Sequence, residues 1–97
     1  MKALCDIIVL TWNGKDLIEG FIESFLRNTD TPSRLIIIDN ASSDGTNEYL
    51  LSLKDTGKCS FKIVLNNENK GFVRGMNQGI AISDAPYVCL ANNDLLF

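Results

Sequence analysis

Four short apolar runs, alternating with segments that have a helical repeat, constrain the fold of this chain more than any other feature. The runs are continuously apolar or nearly so, which is typical of strands that are covered on both faces. They are Cys5–Leu10, Leu35–Ile38, Phe61–Leu65 and Tyr87–Leu90. The order β-α-β-α-β-α-β predicts an α/β fold with a parallel sheet and right-handed crossovers.

The first two intervening segments carry the start signals of helices. The first has an apolar stripe at helical spacing from Leu17 to Leu26, and Asn13 or Gly14 can start it. The second is expected to begin at the N-cap cluster Ser42–Asp44. Its apolar residues are Tyr49, Leu50 and Leu53.

The third helical segment is expected to run from about Gly71 to Ser83, with glycine at every fourth position. Gly71, Gly75 and Gly79 leave a bare stripe on one helix face, which predicts close packing against the sheet or a neighbouring loop. The side chains expected to face inward are Phe72, Val73, Met76 and Ile80. The glycine spacing does not match the dinucleotide fingerprint and a P-loop is absent, which disfavours a nicotinamide-dependent oxidoreductase.

Charge and composition narrow the functions open to this chain. Its 97 residues fit one domain, and the formal net charge is −3 without any cluster of Lys and Arg. Nucleic-acid binding is therefore excluded, since it normally requires a basic stripe. The chain contains no histidine, which excludes a Ser-His-Asp triad, a Cys-His pair and a histidine metal site within it.

The cysteines and the amino terminus predict a cytoplasmic protein. Cys5 and Cys89 lie in apolar runs, where free thiols are expected to be buried, as in a reducing compartment. Asp6 interrupts the amino terminus before any signal-peptide core can form. No apolar run approaches the ~20 residues of a membrane span. In the full-length protein we expect a location at the inner face of the membrane.

Polar residues follow every predicted strand. The four groups are Thr11-Trp12-Asn13, Asp39-Asn40, Asn66-Asn67 and Asn92-Asn93-Asp94. The carboxyl ends of parallel strands share one edge of the sheet, where open α/β folds bind their ligands. The pattern predicts a polar ligand site, and the alternative is that these residues cap helices and start turns.

Asp94 and Asn92 offer oxygen ligands that suit Mg²⁺ or Mn²⁺. One carboxylate is too little for a cage built from protein alone. Such sites often take further oxygens from the phosphates of a substrate. A diphosphate bridged by the metal is therefore the expected ligand.

Four segments together resemble the amino-terminal half of family 2 glycosyltransferases with the GT-A fold. They are IIVLTWN, LIIIDNASSDGTNEYL, NKGFVRGMNQGI and YVCLANNDLLF, in the family's order and spacing. The resemblance implies a Rossmann-like half-domain over residues 1–97, with strand order 3-2-1-4 and helices on both faces of the sheet. Asn92, where the D-x-D motif begins with Asp, indicates a rhamnosyltransferase-like branch.

The resemblance implies a nucleotide-binding role for residues at the strand ends and on the third helix. These are Thr11, Trp12, Asn13, Asp39, Asn40, Gly71, Arg74, Asn77, Asn92 and Asn93. Trp12 is placed to stack on a pyrimidine, and Asp39 to accept the imide N–H of uracil or thymine. Arg74 is equally consistent with a solvated side chain, and Asp44, the family's second acidic position, with a helix cap. Asp94 and Asn92 are the implied metal ligands.

The implied activity is inverting transfer of a hexose from UDP- or dTDP-sugar to a saccharide or lipid-linked acceptor, in polysaccharide or cell-wall biosynthesis. GDP also remains compatible, because guanine presents a ring N–H. The family's catalytic base lies well after the D-x-D-like motif, so no catalytic residue is assigned in this chain. We expect the chain to bind nucleotide without transferring sugar. The alternative is a catalytically inactive fragment that binds a nucleotide or a partner.

The last predicted strand is expected to form an exposed sheet edge, because the acceptor-binding half is absent from this chain. Unpaired strand edges promote association. Self-association through this edge is therefore expected.

Overall fold

A computed structural model describes residues 3–97, in which strands and helices alternate as predicted. The strands are β1 (Cys5–Thr11), β2 (Ser33–Asp39), β3 (Cys59–Leu65) and β4 (Tyr87–Ala91). The helices are α1 (Lys15–Asn28), α2 (Thr46–Leu51) and α3 (Gly71–Ile82). Each predicted apolar run forms a strand that extends it by one to three residues.

All four strands are parallel, in the order β3-β2-β1-β4. Thr11 at the end of β1 pairs with Asp39 at the end of β2, and Asp39 pairs with Leu65 of β3. Ala91 at the end of β4 pairs with Val9. The predicted strand order is confirmed, and the register brings the carboxyl ends of the strands to one edge.

The sheet separates two apolar layers, so that two helices cover one face and one helix covers the other. The α1 and α2 layer joins Ile18, Phe21, Ile22, Phe25 and Leu50 to Ile7, Val9, Leu35 and Ile37 of the sheet. The α3 layer joins Met76 to Ile8, Ile36 and Ile38. The central strands β1 and β2 are therefore buried on both sides, which explains their continuous apolar runs.

Two glycines bring α3 close to the sheet. A Cβ atom at Gly75 would lie 2.5 Å from Leu10 Cδ1, and one at Gly79 would lie 2.4 Å from Ile8 Cγ2. The predicted close packing is confirmed at these two positions. Gly71 serves differently, since its φ of +80° lies in the left-handed region and a Cβ there would have no neighbour within 4 Å.

The prediction of the inward face of α3 is wrong for three residues. Phe72, Val73 and Ile80 are exposed, and only Met76 of the predicted set is buried. The reason is that the glycines let the helix backbone approach the strands. The face that carries Gly75, Met76 and Gly79 therefore turns to the sheet, and the larger side chains turn away from it.

The second helix begins later than its polar cluster predicts. It starts at Thr46, after Gly45 in the left-handed conformation with φ of 92°, so that Ser42–Asp44 form a loop. It ends at Leu51, and Leu53 lies beyond it while still packing against the core.

The β4 strand is an exposed edge, as expected. Tyr87 to Leu90 are all exposed, because no layer of residues 3–97 covers them. The prediction that Cys89 is buried is therefore wrong, whereas Cys5 is half-buried and burial raises the pKa of its thiol. Cys59 is buried, and desolvation raises its pKa to about 11.

A buried carboxylate joins the strands near their amino ends. Asp6 accepts hydrogen bonds from Arg34 Nε at 3.0 Å and Nη2 at 3.1 Å. Ser83 Oγ and the backbone N–H groups of Asp84 and Ala85 donate to the same carboxylate at 2.9, 2.9 and 3.0 Å. No structural role of Asp6 was expected from the sequence, yet this residue connects β1 and β2 to the segment that enters β4.

Within residues 3–97, none of the helices combines the length and the apolar character that crossing a bilayer requires.

Candidate functional site

The carboxyl ends of three strands are joined by backbone hydrogen bonds that continue beyond the sheet. The N–H of Asn40 donates to the carbonyl of Thr11 at 2.9 Å, and the N–H of Asn66 donates to the carbonyl of Asp39 at 2.9 Å. The polar residues that follow these strands therefore share one edge, as predicted.

Asp39 occupies the centre of this edge and is only 2% exposed. Its carboxylate Oδ1 accepts a short hydrogen bond from Ser42 Oγ, three residues further along the same loop. The carboxylate is thus held at the end of β2 by its own loop.

Asn13 joins the β1–α1 loop to the β2–α2 loop. Its backbone adopts φ of 47°, a left-handed conformation that asparagine tolerates better than most residues. The Asn13 N–H donates to Ser42 Oγ at 2.8 Å, and its Oδ1 accepts from the N–H of Ser43 at 2.7 Å. The contact of Asn13 with a nucleotide stays a prediction. The structure shows in addition that Asn13 holds the two loops together.

Asp44 caps two helices. Its Oδ2 accepts from the N–H of Lys15, the first residue of α1, at 3.1 Å. Its Oδ1 accepts from the N–H of Thr46, the first residue of α2, at 3.2 Å and from the Thr46 hydroxyl. The hydroxyl hydrogen bond is the main cause that lowers the pKa of Asp44. Of the two interpretations of Asp44, helix capping is the one with direct contacts.

Asn40 belongs to a cluster of side-chain amides that fixes the start of α3. It is 1% exposed, its Nδ2 donates to the Gly71 carbonyl at 3.2 Å, and its Oδ1 accepts from Asn66 Nδ2 at 2.9 Å. Asn66 and Gln78 exchange two further hydrogen bonds of 2.8 and 2.9 Å. Gln78 was not among the predicted site residues, and its signal in the sequence is a long amide beside Gly79 on the helix.

Thr11 and Trp12 differ sharply in exposure. Thr11 is buried, and its Oγ1 accepts from Asn93 Nδ2 at 3.3 Å, so that the segment after β4 is joined to the end of β1. Trp12 follows Thr11 directly, and its side chain is 55% exposed. An exposed indole at this edge can stack on an aromatic ligand.

Asn92 and Asp94 are exposed in the turn after β4, where the carbonyl of Asn92 accepts from the N–H of Leu95 at 3.2 Å. No hydrogen bond or salt bridge within residues 3–97 engages the carboxylate of Asp94. In the same residues, no three acidic, cysteine or histidine side chains converge on a metal-sized position. One carboxylate and one amide oxygen fit Mg²⁺ or Mn²⁺ only where the oxygens of a ligand complete the shell.

The remaining predicted residues lie on α3. Arg74 and Asn77 are exposed, as is Gly71 at the first position of the helix. No salt bridge to Arg74 is formed by the part of the chain that the structure describes. The roles of these residues in nucleotide binding stay predictions.

A depression of about 400 Å³ lies beside the loop ends and is lined by Asn13, Lys15, Leu17 and Asp44, among others. Another of about 380 Å³ lies between the end of α1 and the start of β3, at the opposite end of the sheet. Only the first includes a predicted site residue.

A parallel α/β half-domain with polar residues along the carboxyl edge of its sheet is the class that this fold defines. The profile described as Glycosyl transferase family 2 matches residues 6–97. The UDP-Glc:alpha-D-GlcNAc-diphosphoundecaprenol beta-1,3-glucosyltransferase WfaP of Escherichia coli is 31% identical over 91 residues, which cover 94% of this chain and 35% of WfaP. The chain belongs to glycosyl transferase family 2, and it spans about a third of the length of WfaP.

Solved structures share the fold. The mannosyltransferase PcManGT from Pyrobaculum calidifontis, in complex with GDP-Man and Mn²⁺, matches with a TM-score of 0.85 and 23% identity over 100% of this chain and 29% of that one. TarS from S. aureus in complex with UDP-GlcNAc matches with a TM-score of 0.82 and 20% identity over 97% of this chain and 27% of that one. The predicted GT-A half-domain is thereby confirmed.

Proposed function

We propose that the protein is an inverting glycosyltransferase that takes a hexose from UDP- or dTDP-sugar, and that this chain binds the donor nucleotide. The observation that carries the proposal is that Trp12, Asp39 and Asp94 lie at or just beyond the carboxyl ends of three neighbouring strands, along one edge of the sheet. The exposed indole of Trp12 suits the face of a base, and the buried carboxylate of Asp39 suits the ring N–H of that base. The exposed carboxylate of Asp94 suits a metal-bound diphosphate.

Base recognition falls to Asp39 and Trp12. The ring N–H of uracil or thymine would donate to the carboxylate of Asp39, and the base would stack on Trp12. Guanine offers a ring N–H as well, and the PcManGT complex holds GDP-Man. Cytosine has an acceptor nitrogen at the corresponding position, so this arrangement discriminates against CDP.

Asp94 and Asn92 would hold the metal at the diphosphate. A bound Mg²⁺ or Mn²⁺ would supply Lewis-acid stabilisation of the leaving diphosphate. Asn93 supports these residues by anchoring their turn to Thr11. The Mn²⁺ in PcManGT supports this assignment. The rhamnosyltransferase-like branch rests on Asn92 alone.

The acceptor class is proposed to be a saccharide or a lipid-linked saccharide, in cell-wall or polysaccharide biosynthesis. The name of WfaP includes a diphosphoundecaprenol-linked sugar, which supports a lipid-linked acceptor. We place the protein in the cytoplasm at the inner face of the membrane, consistent with the free thiols of Cys5 and Cys59. Arg74, Asn77 and Gly71 are proposed to border the nucleotide from α3.

The isolated chain is proposed to bind nucleotide without transferring sugar, and to self-associate through β4. The exposed edge from Tyr87 to Leu90 supports this association. A monomer at high concentration in size-exclusion chromatography would contradict the association alone.

The proposal is tested by thermal-shift measurements with UDP, dTDP, GDP and CDP, each with and without Mn²⁺. We expect UDP or dTDP to stabilise the chain more than CDP does, and Mn²⁺ to increase this stabilisation. Asp94→Ala should remove the increase. Asp84→Ala, which removes an exposed carboxylate at the other end of the sheet, should retain it. Stabilisation by none of the nucleotides would contradict donor binding, and an undiminished Mn²⁺ effect in Asp94→Ala would exclude Asp94 as the ligand.

A further inference from the structure

The hydroxyl of Ser42 lies between a donor and an acceptor that together fix its proton. The N–H of Asn13 donates to Ser42 Oγ at 2.8 Å, and Ser42 Oγ donates to Asp39 Oδ1. A backbone N–H can only donate, and an ionised carboxylate can only accept. Because the hydroxyl has a single proton, that proton must point towards Asp39.

The second carboxylate oxygen of Asp39 is left open. Among residues 3–97, every side-chain nitrogen or oxygen that is cut off from solvent has a hydrogen-bond partner. No hydrogen bond within these residues reaches Asp39 Oδ2. Oδ2 therefore retains contact with solvent although the residue as a whole is only 2% exposed. The carboxylate has one oxygen bound to the loop and one available to a ligand.

Asn13, whose backbone N–H donates to Ser42, is itself held in place. Asn13 has the left-handed φ of 47°, and its own Oδ1 accepts from the N–H of Ser43 at 2.7 Å. The contacts span 29 and 30 positions of sequence, so they form only when the two loops meet. Trp12 lies in the same loop as Asn13, which links the position of its indole to that of the Asp39 carboxylate.

We propose that Ser42 is a positioning residue that determines base selectivity by fixing the carboxylate of Asp39. This inference rests on the proposed donor site. With Oδ1 held by Ser42, Oδ2 is a fixed acceptor for a ring N–H and a fixed repulsive group towards the ring nitrogen of cytosine. Without the hydroxyl, the carboxylate can rotate and the Asn13 N–H loses its partner. Selectivity between the two kinds of base should then fall.

The test compares the affinities of the chain for UDP and CDP, measured by isothermal titration calorimetry in the presence of Mn²⁺. Ser42→Ala should weaken UDP binding about 10-fold, as expected for the loss of a charge-assisted hydrogen bond, and should change CDP binding by less than about 2-fold. Ser42→Thr retains the hydroxyl and should preserve the ratio of the UDP affinity to the CDP affinity. Ser43→Ala is the matched control and should also preserve this ratio, because it removes only the 3.5 Å hydrogen bond from the Ser43 hydroxyl to Asn13 Oδ1, while the 2.7 Å hydrogen bond from the Ser43 backbone N–H remains.

The ratio of the affinity for UDP to the affinity for CDP distinguishes a positioning role of Ser42 from a merely structural one. Equal weakening of UDP and CDP in Ser42→Ala would overturn the inference, because it would mean that Ser42 only holds the loops together. Equal affinity of the unmodified chain for both nucleotides would also overturn it, while leaving nucleotide binding intact. Binding of neither nucleotide by the unmodified chain would contradict the proposed function itself. If Ser42→Ala does not fold, Ser42→Cys, which has a weaker donor, should lower the ratio to a smaller extent, and an unchanged ratio would overturn the inference.

Discussion

Two buried aspartates near opposite ends of the sheet differ in how completely the fold satisfies their carboxylates. Asp6 in β1 is fully buried and accepts five hydrogen bonds, two of them from Arg34. Asp39 at the end of β2 is almost as buried, yet it accepts one side-chain hydrogen bond from the described residues, given by Ser42. Burial alone therefore does not distinguish a structural carboxylate from one that is available to a ligand.

The hydrogen bonds to Asp6 also change the pKa of its carboxyl group. Burial by itself raises the pKa of this carboxyl group, but the hydrogen bonds from Arg34 and the neighbouring backbone outweigh it and lower the pKa to about 2. Both carboxylate oxygens of Asp6 therefore accept hydrogen bonds from the fold, whereas one oxygen of Asp39 accepts none from the described residues. A saturated carboxylate stabilises the chain, and an unsaturated one can recognise a donor from outside.

The largest expected effect is the loss of stability in Asp6→Ala. Removal of the carboxylate leaves the partly buried Arg34 without its main partner and deprives three further donors of their acceptor. We expect the free energy of unfolding to fall by about 3–5 kcal/mol in urea denaturation. Asp84→Ala, which removes the exposed partner of Arg34, should lower it by less than about 1 kcal/mol. Equal effects of the two substitutions would show that the buried site is not the structural centre of this region.

Acid should weaken the same region to a smaller extent. The folded-state pKa of Asp6 is about 2, below its ordinary value of 3.8, so the ionised group stabilises the fold above pH 4. That contribution, about 2 kcal/mol, should be lost as the pH falls from about 4 to 2. Denaturation at several pH values should show that the free energy of unfolding falls less steeply over this range in Asp6→Asn than in the unmodified chain. The same slope in both would contradict the assignment of this loss to Asp6.

The smallest effect on stability is expected at Asp39, together with a large effect on recognition. Asp39→Asn retains the shape of the side chain and should change the free energy of unfolding by less than about 1 kcal/mol. Its amide can donate to the ring nitrogen of cytosine, so the preference for UDP over CDP should fall by about 10-fold. Calorimetry of both nucleotides measures this preference, and a stability loss comparable to that of Asp6→Ala would remove the distinction between the two aspartates.

The elements of the fold could be predicted because their signals are local. The continuous apolar runs of β1 and β2 reflect burial on both faces, and the stripe of α1 reflects its single apolar face. The orientation of α3 could not be predicted from its apolar residues, because Gly75 and Gly79 admit strand side chains more closely than any larger residue would. The exposed Phe72 follows from that approach.

The polar residues at the strand ends could be located but their contacts could not be predicted. The sequence indicated that Asp39 and Asn40 lie at the ligand edge. It did not indicate that Asn40 would bind Asn66 and the start of α3, nor that Asn13 would bind the Ser42 loop. Such hydrogen bonds join residues 26 to 31 positions apart, so they depend on strand register and loop position.

The amino-acid order by itself determined the alternation of strands and helices, the polar ends of the strands and the family resemblance, because periodicity and motif spacing are properties of neighbouring residues. Only the tertiary structure decided which aspartate is saturated and which keeps a free oxygen. Hydrogen-bond donors reach Asp6 from residues up to 79 positions away, and parallel pairing is what brings them there.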